Sequence, residues 1–112
     1  HLSTHLLRWQ PETIVNLPEG IGFLPFEIPG SEELMAGNIS ALRTHRIVVW
    51  AKHGVMARSD VSIKHAADRV EYAETAAKYE YLNLCAGEIG EGLSTAEIRS
   101  ICEMLNIKQS IY

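Results

Sequence analysis

The 112-residue sequence predicts an α/β fold in one unit, on three observations. Two short runs, Thr13-Ile14-Val15-Asn16-Leu17 and Arg46-Ile47-Val48-Val49-Trp50-Ala51, have the length and the β-branched, apolar composition of strands. Around them lie longer stretches in which apolar residues recur at helical spacing behind serines able to cap a helix. No internal repeat, low-complexity tract or linker divides the chain. Its apolar content is sufficient for a core without disulfides or a structural metal.

Ser3 to Trp9 reads as the tail of a helix stopped near Pro11, because proline lacks an amide donor and restricts the residue before it. The chain opens at His1 without a methionine, on residues that resemble the inside of a helix, so a piece of a longer protein is expected. After the run at 13–17, Pro18 to Gly30 gathers Pro18, Pro25 and Pro29 with Gly20, Gly22 and Gly30 among hydrophobic residues. Such a segment predicts a shaped, stiff loop, lining a site or a subunit contact or else packing its own apolar residues. Ser31 caps a helix expected to reach about Thr44, with Glu32 and Glu33 favoured by the helix dipole and Leu34, Met35, Ile39 and Leu42 on one side. The run from Arg46 to Ala51 is a strand expected inside a sheet. A long Ala-rich helix follows from about Val61 to Ala86, with Val61, Ala66, Val70, Ala73, Ala77, Tyr81 and Leu84 at helical spacing and Gly87 as its stop. Ser94-Thr95-Ala96-Glu97 is a capping box opening a last helix that carries Ile98, Ile101, Cys102 and Leu105.

Ten basic residues against fourteen acidic ones leave a net charge of −4, and the cations are scattered, which argues against a nucleic-acid partner. No apolar run approaches the roughly 20 residues that cross a bilayer, so no membrane partner is expected. Cys85 and Cys102 lie in helical stretches without a CxxC pattern and are expected as two buried free thiols, which the cytoplasm fits best.

Among candidate chemical groups, His53 follows an apolar strand and precedes Gly54, where a side chain emerges at a sheet edge. That position suits a metal ligand, and equally a packed structural histidine. One imidazole cannot hold a catalytic zinc, which takes three protein ligands. His1 and His5 are spaced to share a helix face but lack the glutamate of an HExxH motif, and His45 and His65 read as surface or interface residues. Glu12 stands in a rigid setting beside Pro11, either as a carboxylate for general acid/base work or as an exposed side chain. Arg8, Trp9 and Gln10 before it either position a partner subunit or pack. P-loop, nucleophile-elbow and dinucleotide patterns are lacking; Gly20-Ile21-Gly22 has no strand-turn-helix context.

Three segments in register, Arg8-Trp9-Gln10-Pro11-Glu12-Thr13, then Pro18 to Phe26 with Ile28-Pro29-Gly30-Ser31, then Val49-Trp50-Ala51-Lys52-His53-Gly54-Val55, are similar to bacterial rhamnulose-1-phosphate aldolases, within the class II aldolase and adducin group. The resemblance implies a three-layer α/β/α domain around a mixed, mainly antiparallel sheet, of which this chain is roughly the C-terminal half. It therefore implies a sheet edge and an apolar face left for the rest of the domain to cover. It implies zinc (Zn2+) bound by three histidines, a His-x-His pair earlier in the chain and a later one matching His53. A glutamate matching Glu12 is implied to take part in proton transfer or substrate contact at a neighbouring subunit's site in a homotetramer. The implied reaction is reversible cleavage of a sugar-phosphate substrate, L-rhamnulose 1-phosphate, to dihydroxyacetone phosphate and L-lactaldehyde, with the metal stabilising the enediolate. The His-x-His pair, an upstream glutamate base and phosphate-cradling loops have no counterpart in this sequence, so the 112 residues alone are expected to be inactive. A related fuculose- or ribulose-phosphate enzyme, an adducin-like structural module and an independent oligomerisation module are the competing readings.

Overall fold

The computed structural model describes residues 6–87, 90–109 and 111–112. In chain order it contains α1 (Pro11–Asn16), β1 (Gly22–Leu24), α2 (Glu32–Thr44), β2 (Ile47–Trp50), β3 (Gly54–Ala57), α3 (Ile63–Ala86) and α4 (Thr95–Met104). The sheet order is β1-β2-β3. β1 runs parallel to β2, pairing Gly22 with Val48 through Leu24 with Trp50, and β3 runs antiparallel, pairing Ile47 with Ala57 through Trp50 with Gly54. Helix α2 is the crossover that parallel neighbours require.

Side chains alternate along a strand, so Ile47 and Val49 share one face of β2 and Val48 and Trp50 the other. Ile47 is buried in one cluster with Ile14 and Leu17 of the α1 region, Ala73 and Ala76 of α3, and Ile98 and Cys102 of α4, and Val49, Ala57 and Val70 pack against it. The opposite face meets α2. Trp50 reaches Asn38 there, and a Cβ on Gly37 would sit 3.5 Å from the Leu24 side chain. The result is the expected α/β/α layering around a mixed sheet. Phe23, Val49 and Val55 align across the three strands, yet Phe23 is 63% and Val55 45% exposed, so the first face is covered only toward Ile47.

The predicted strand at 13–17 is instead helix α1 with its terminus. Gln10 is extended (φ −159°, ψ 150°), as a residue before proline should be, and Pro11 enters the first turn, where its missing N–H costs nothing. The burial pattern explains why the helix wins. Thr13, Ile14 and Leu17 are buried while Val15 is 36% exposed, a spacing of one helical face, whereas a strand would hide 13, 15 and 17 together. Packing onto α3 and α4 thereby overrides a weak β propensity.

The segment from Pro18 to Gly30, expected as a loop, contains β1. Gly20 and Gly30 have φ of +83° and +82°, the left-handed region that favours glycine. β3 is likewise a strand for which the sequence carries no separate expectation. The caps agree with the sequence: Leu34 N–H donates to Ser31 Oγ at 3.2 Å, Gly87 closes α3 at φ +72°, and Ser94 and Glu97 form a reciprocal capping box.

Two expected apolar stripes are only partly buried. In α2, Leu34 faces the sheet, but Met35 and Ile39 are exposed. In α3, Ala73 and Ala76 are buried, while Tyr81 and Leu84 stand in solvent because the helix runs past the elements it packs on. The same overhang corrects the cysteine expectation: Cys102 is buried, Cys85 is exposed, and both are free thiols. Of the predicted helix from Ser3 to Trp9, residues 3–5 lie outside the described residues. Leu6 is helical and the chain then turns.

Candidate functional site

The β2–β3 hairpin and the start of α2 enclose an open cavity of about 410 Å³. Gly30, Ser31, Glu32, Leu34, Met35 and Asn38 line it from the α2 side, and Trp50 and His53 from the hairpin. The hairpin turn is fixed by main-chain bonds, from Ala51 N–H to Leu24 O at 3.0 Å and from His53 N–H to Trp50 O at 3.0 Å. Lys52 takes φ +60°, a left-handed conformation that costs a non-glycine residue about 1 kcal/mol. This tight turn brings His53 back over the end of β2. Its imidazole lies on the Trp50 indole with centroids 5.3 Å apart and planes 12° apart. The indole N–H in turn donates to Asn38 Oδ1 at 2.9 Å.

His53 is therefore exposed at the mouth of a cavity, as its position between an apolar strand and Gly54 predicts. Glu12 stands elsewhere. It is exposed in the first turn of α1, in the layer on the other side of the sheet, and is not among the residues lining the cavity. The main-chain oxygen of Glu12 accepts from the Asn16 side chain at 2.7 Å, which braces the short helix. Within one chain, Glu12 and His53 do not share the cavity.

The other histidines have local partners. His45 is half-buried, its Nδ1 3.0 Å from Thr44 Oγ1, and a Cβ on Gly22 would meet its ring at 3.1 Å. His65 Nδ1 lies 2.6 Å from Ser59 Oγ. His1 and His5 lie outside the described residues. Among the described residues no three His, Cys, Asp or Glu side chains are grouped closely enough to hold a metal ion. His53 fits one ligand position, and the described residues by themselves do not make up a complete metal site.

At the opposite end of the sheet from the hairpin, Arg46, Arg58 and Arg69 join the layers. Arg46 pairs with Glu19 at 3.2 Å, Arg58 Nε donates to Leu42 O at 2.6 Å, and Arg69 donates to the Arg58 carbonyl. Burial, followed by the Arg46 and Arg58 charges, lowers the Arg69 pKa. These guanidiniums have main-chain or carboxylate partners and serve as struts.

Residues 3–81 match the family described as the class II aldolase and adducin N-terminal domain. The chain belongs to that family. This class II aldolase segment is 30% identical, over 95% of its length and 39% of the relative's, to the rhamnulose-1-phosphate aldolase of Bacteroides thetaiotaomicron. It is 26% identical to the enzyme of the same name from Listeria monocytogenes serovar 1/2a, over 89% of this chain and 37% of that one. A crystal structure of a sugar-phosphate aldolase from Thermotoga maritima superposes with a TM-score of 0.71 at 34% identity, over 78% of this chain and 37% of that one. The chain thus spans under two fifths of the length of these relatives.

Trp50 and Asn38 carry no functional expectation from the sequence, although Trp50 lies in the segment 49–55 that resembles the aldolases. Their pairing joins residues twelve apart on different elements. Local periodicity is silent on such a contact, and the Trp50–His53 stack likewise appears only once the hairpin is folded.

Proposed function

We propose that this protein, when assembled, is a zinc-dependent class II aldolase that reversibly cleaves L-rhamnulose 1-phosphate to dihydroxyacetone phosphate and L-lactaldehyde in the cytoplasm. The observation that carries the reading is the near full-length match of this chain to proteins named rhamnulose-1-phosphate aldolase. The described stretch forms the later part of the aldolase domain. His53 supplies one zinc ligand from the β2–β3 hairpin, and the remaining ligands and the phosphate site come from chain beyond these residues. Among the described residues one imidazole, that of His53, lines the cavity where catalytic zinc takes three protein ligands, so on this reading the stretch alone turns over no substrate.

Glu12 supplies a carboxylate to the site of a neighbouring subunit in a homotetramer. Its exposure and its separation from the cavity of its own chain support a role across an interface. Pro11 stiffens the main chain that carries it, which favours a held proton-transfer geometry.

The test is a panel of L-rhamnulose 1-phosphate, L-fuculose 1-phosphate and L-ribulose 5-phosphate offered to the protein as it is naturally produced. Aldehyde release is followed by coupled reduction. The reading expects turnover highest with L-rhamnulose 1-phosphate and abolished by chelation. A preference for another ketose phosphate reassigns the substrate, and no turnover of any favours an adducin-like structural role.

A further inference from the structure

We infer that Asn38 and Trp50 are a positioning pair that sets the plane of the His53 imidazole, an inference that rests on the reading of His53 as a metal ligand. Neither ring nitrogen of His53 has a hydrogen-bond partner among the described residues. The usual device for orienting a ligand histidine is a hydrogen bond from its second nitrogen to a carboxylate or carbonyl, and here no such bond is made within the described residues. What remains to hold the ring is the nearly parallel indole face, 5.3 Å away.

A stacked indole orients a neighbour only if it is itself fixed. Trp50 is half-buried at the end of β2, and its N–H donates to Asn38 Oδ1 at 2.9 Å. The acceptor sits within the 13-residue helix α2, on the side facing the sheet. Turning the indole away from Asn38 would leave a partly buried N–H unpaired, so the bond selects one rotamer. Chemistry also settles which Asn38 atom faces the ring, since an indole donates only and requires the amide oxygen. The sequence of contacts therefore runs from a rigid helix through one amide to the indole and on to the imidazole, with neither imidazole nitrogen bonded among the described residues. An aliphatic side chain at position 38 could not fix the indole in this way.

The test uses three substitutions in the protein as naturally produced. Asn38→Leu removes the acceptor at similar volume, Asn38→Asp keeps an oxygen in its place, and Trp50→Phe keeps a ring but loses the N–H. Two readouts are compared: the NMR shifts of the His53 ring C–H protons, which the indole ring current displaces, and Zn2+ affinity by competition with a chelator. The pair predicts that Asn38→Leu relaxes the His53 shifts and weakens Zn2+ binding about 10-fold, while Asn38→Asp retains both. It also predicts that Trp50→Phe with Asn38→Leu binds Zn2+ no more weakly than Trp50→Phe alone. If Asn38→Leu does not fold, Asn38→Ala, which also removes the acceptor, takes its place in both backgrounds. Unmoved His53 shifts in folded Asn38→Leu overturn the positioning role and leave His53 as a ligand. Unchanged Zn2+ affinity in His53→Ala, with shifts that do move in Asn38→Leu, overturns the ligand reading and leaves the ring-orienting pair standing.

Discussion

Trp9 donates its indole N–H to Glu80 Oε2 at 2.6 Å, a bond that joins residues 71 apart and ties the segment before α1 to the C-terminal third of α3. A second tie lies beside it, from Leu93 N–H to Arg8 O at 2.7 Å. The sequence leaves open whether Arg8-Trp9-Gln10 meets a partner or packs internally, and for Trp9 the described chain itself supplies the partner. Removing the acceptor with Glu80→Leu is expected to cost about 1.5 kcal/mol, because the bond involves a partly buried carboxylate. Glu80→Gln, which keeps an acceptor oxygen, is expected to recover about half of that. Chemical denaturation of the two variants checks the order.

Burial along α1 makes its helical nature testable without a structure. Ile14 is fully buried and Val15 is 36% exposed. Ile14→Ala is expected to destabilise by about 3 kcal/mol, and Val15→Ala by about 0.5 kcal/mol or less. Comparable losses at Val15 and Leu17 with little loss at Ile14 would mark the segment as a strand.

The contrast between α1 and the capped helices indicates which features are legible from a sequence. Ser31, Gly87 and Ser94 act through bonds to residues three or four positions away, so the local sequence contains both partners. The strand character of Ile47–Trp50 is equally local, since a buried central strand is apolar throughout. α1 is not legible in this way, because Thr13, Ile14, Val15 and Leu17 fit either period until α3 and α4 are placed against them. The exposure of Cys85 depends on where α3 outruns its supports, and β1 is too short to stand out among prolines. For the site, the emergence of His53 beyond an apolar strand is readable, whereas the Asn38–Trp50 bond and the separation of Glu12 from the cavity require the sheet to be assembled.

The capping box of α4 carries a pH dependence. Ser94 N–H donates to Glu97 Oε2 at 2.7 Å and the Ser94 hydroxyl at 2.9 Å, and these bonds lower the Glu97 pKa below its ordinary 4.5. A carboxyl whose folded pKa is depressed adds stability that is fully present above the unfolded value and is lost as pH falls through the folded one. The thermal midpoint of the natural sequence is therefore expected to exceed that of Glu97→Gln by more at about pH 7 than at about pH 3. A gap that is constant across this range, or that widens toward acid, contradicts the assignment.

Glu12 allows stability and chemistry to be separated. Its side chain is exposed, so Glu12→Gln is expected to change folding stability by less than about 0.5 kcal/mol. On the proposed proton-transfer role, Glu12→Gln is expected to lower turnover about 100-fold with the oligomeric state unchanged. Steady-state cleavage of L-rhamnulose 1-phosphate and light scattering on the same sample check the two halves together.

The proposed zinc role of His53 rests on its place at the cavity mouth, where neither ring nitrogen has a hydrogen-bond partner among the described residues. The most direct measurement is the zinc content of the naturally produced protein beside that of His53→Ala, taken with aldol cleavage on the same preparations. Loss of most of the zinc and of the activity in His53→Ala, with the fold intact by circular dichroism, is the predicted result. Full zinc content and undiminished cleavage in His53→Ala would contradict it.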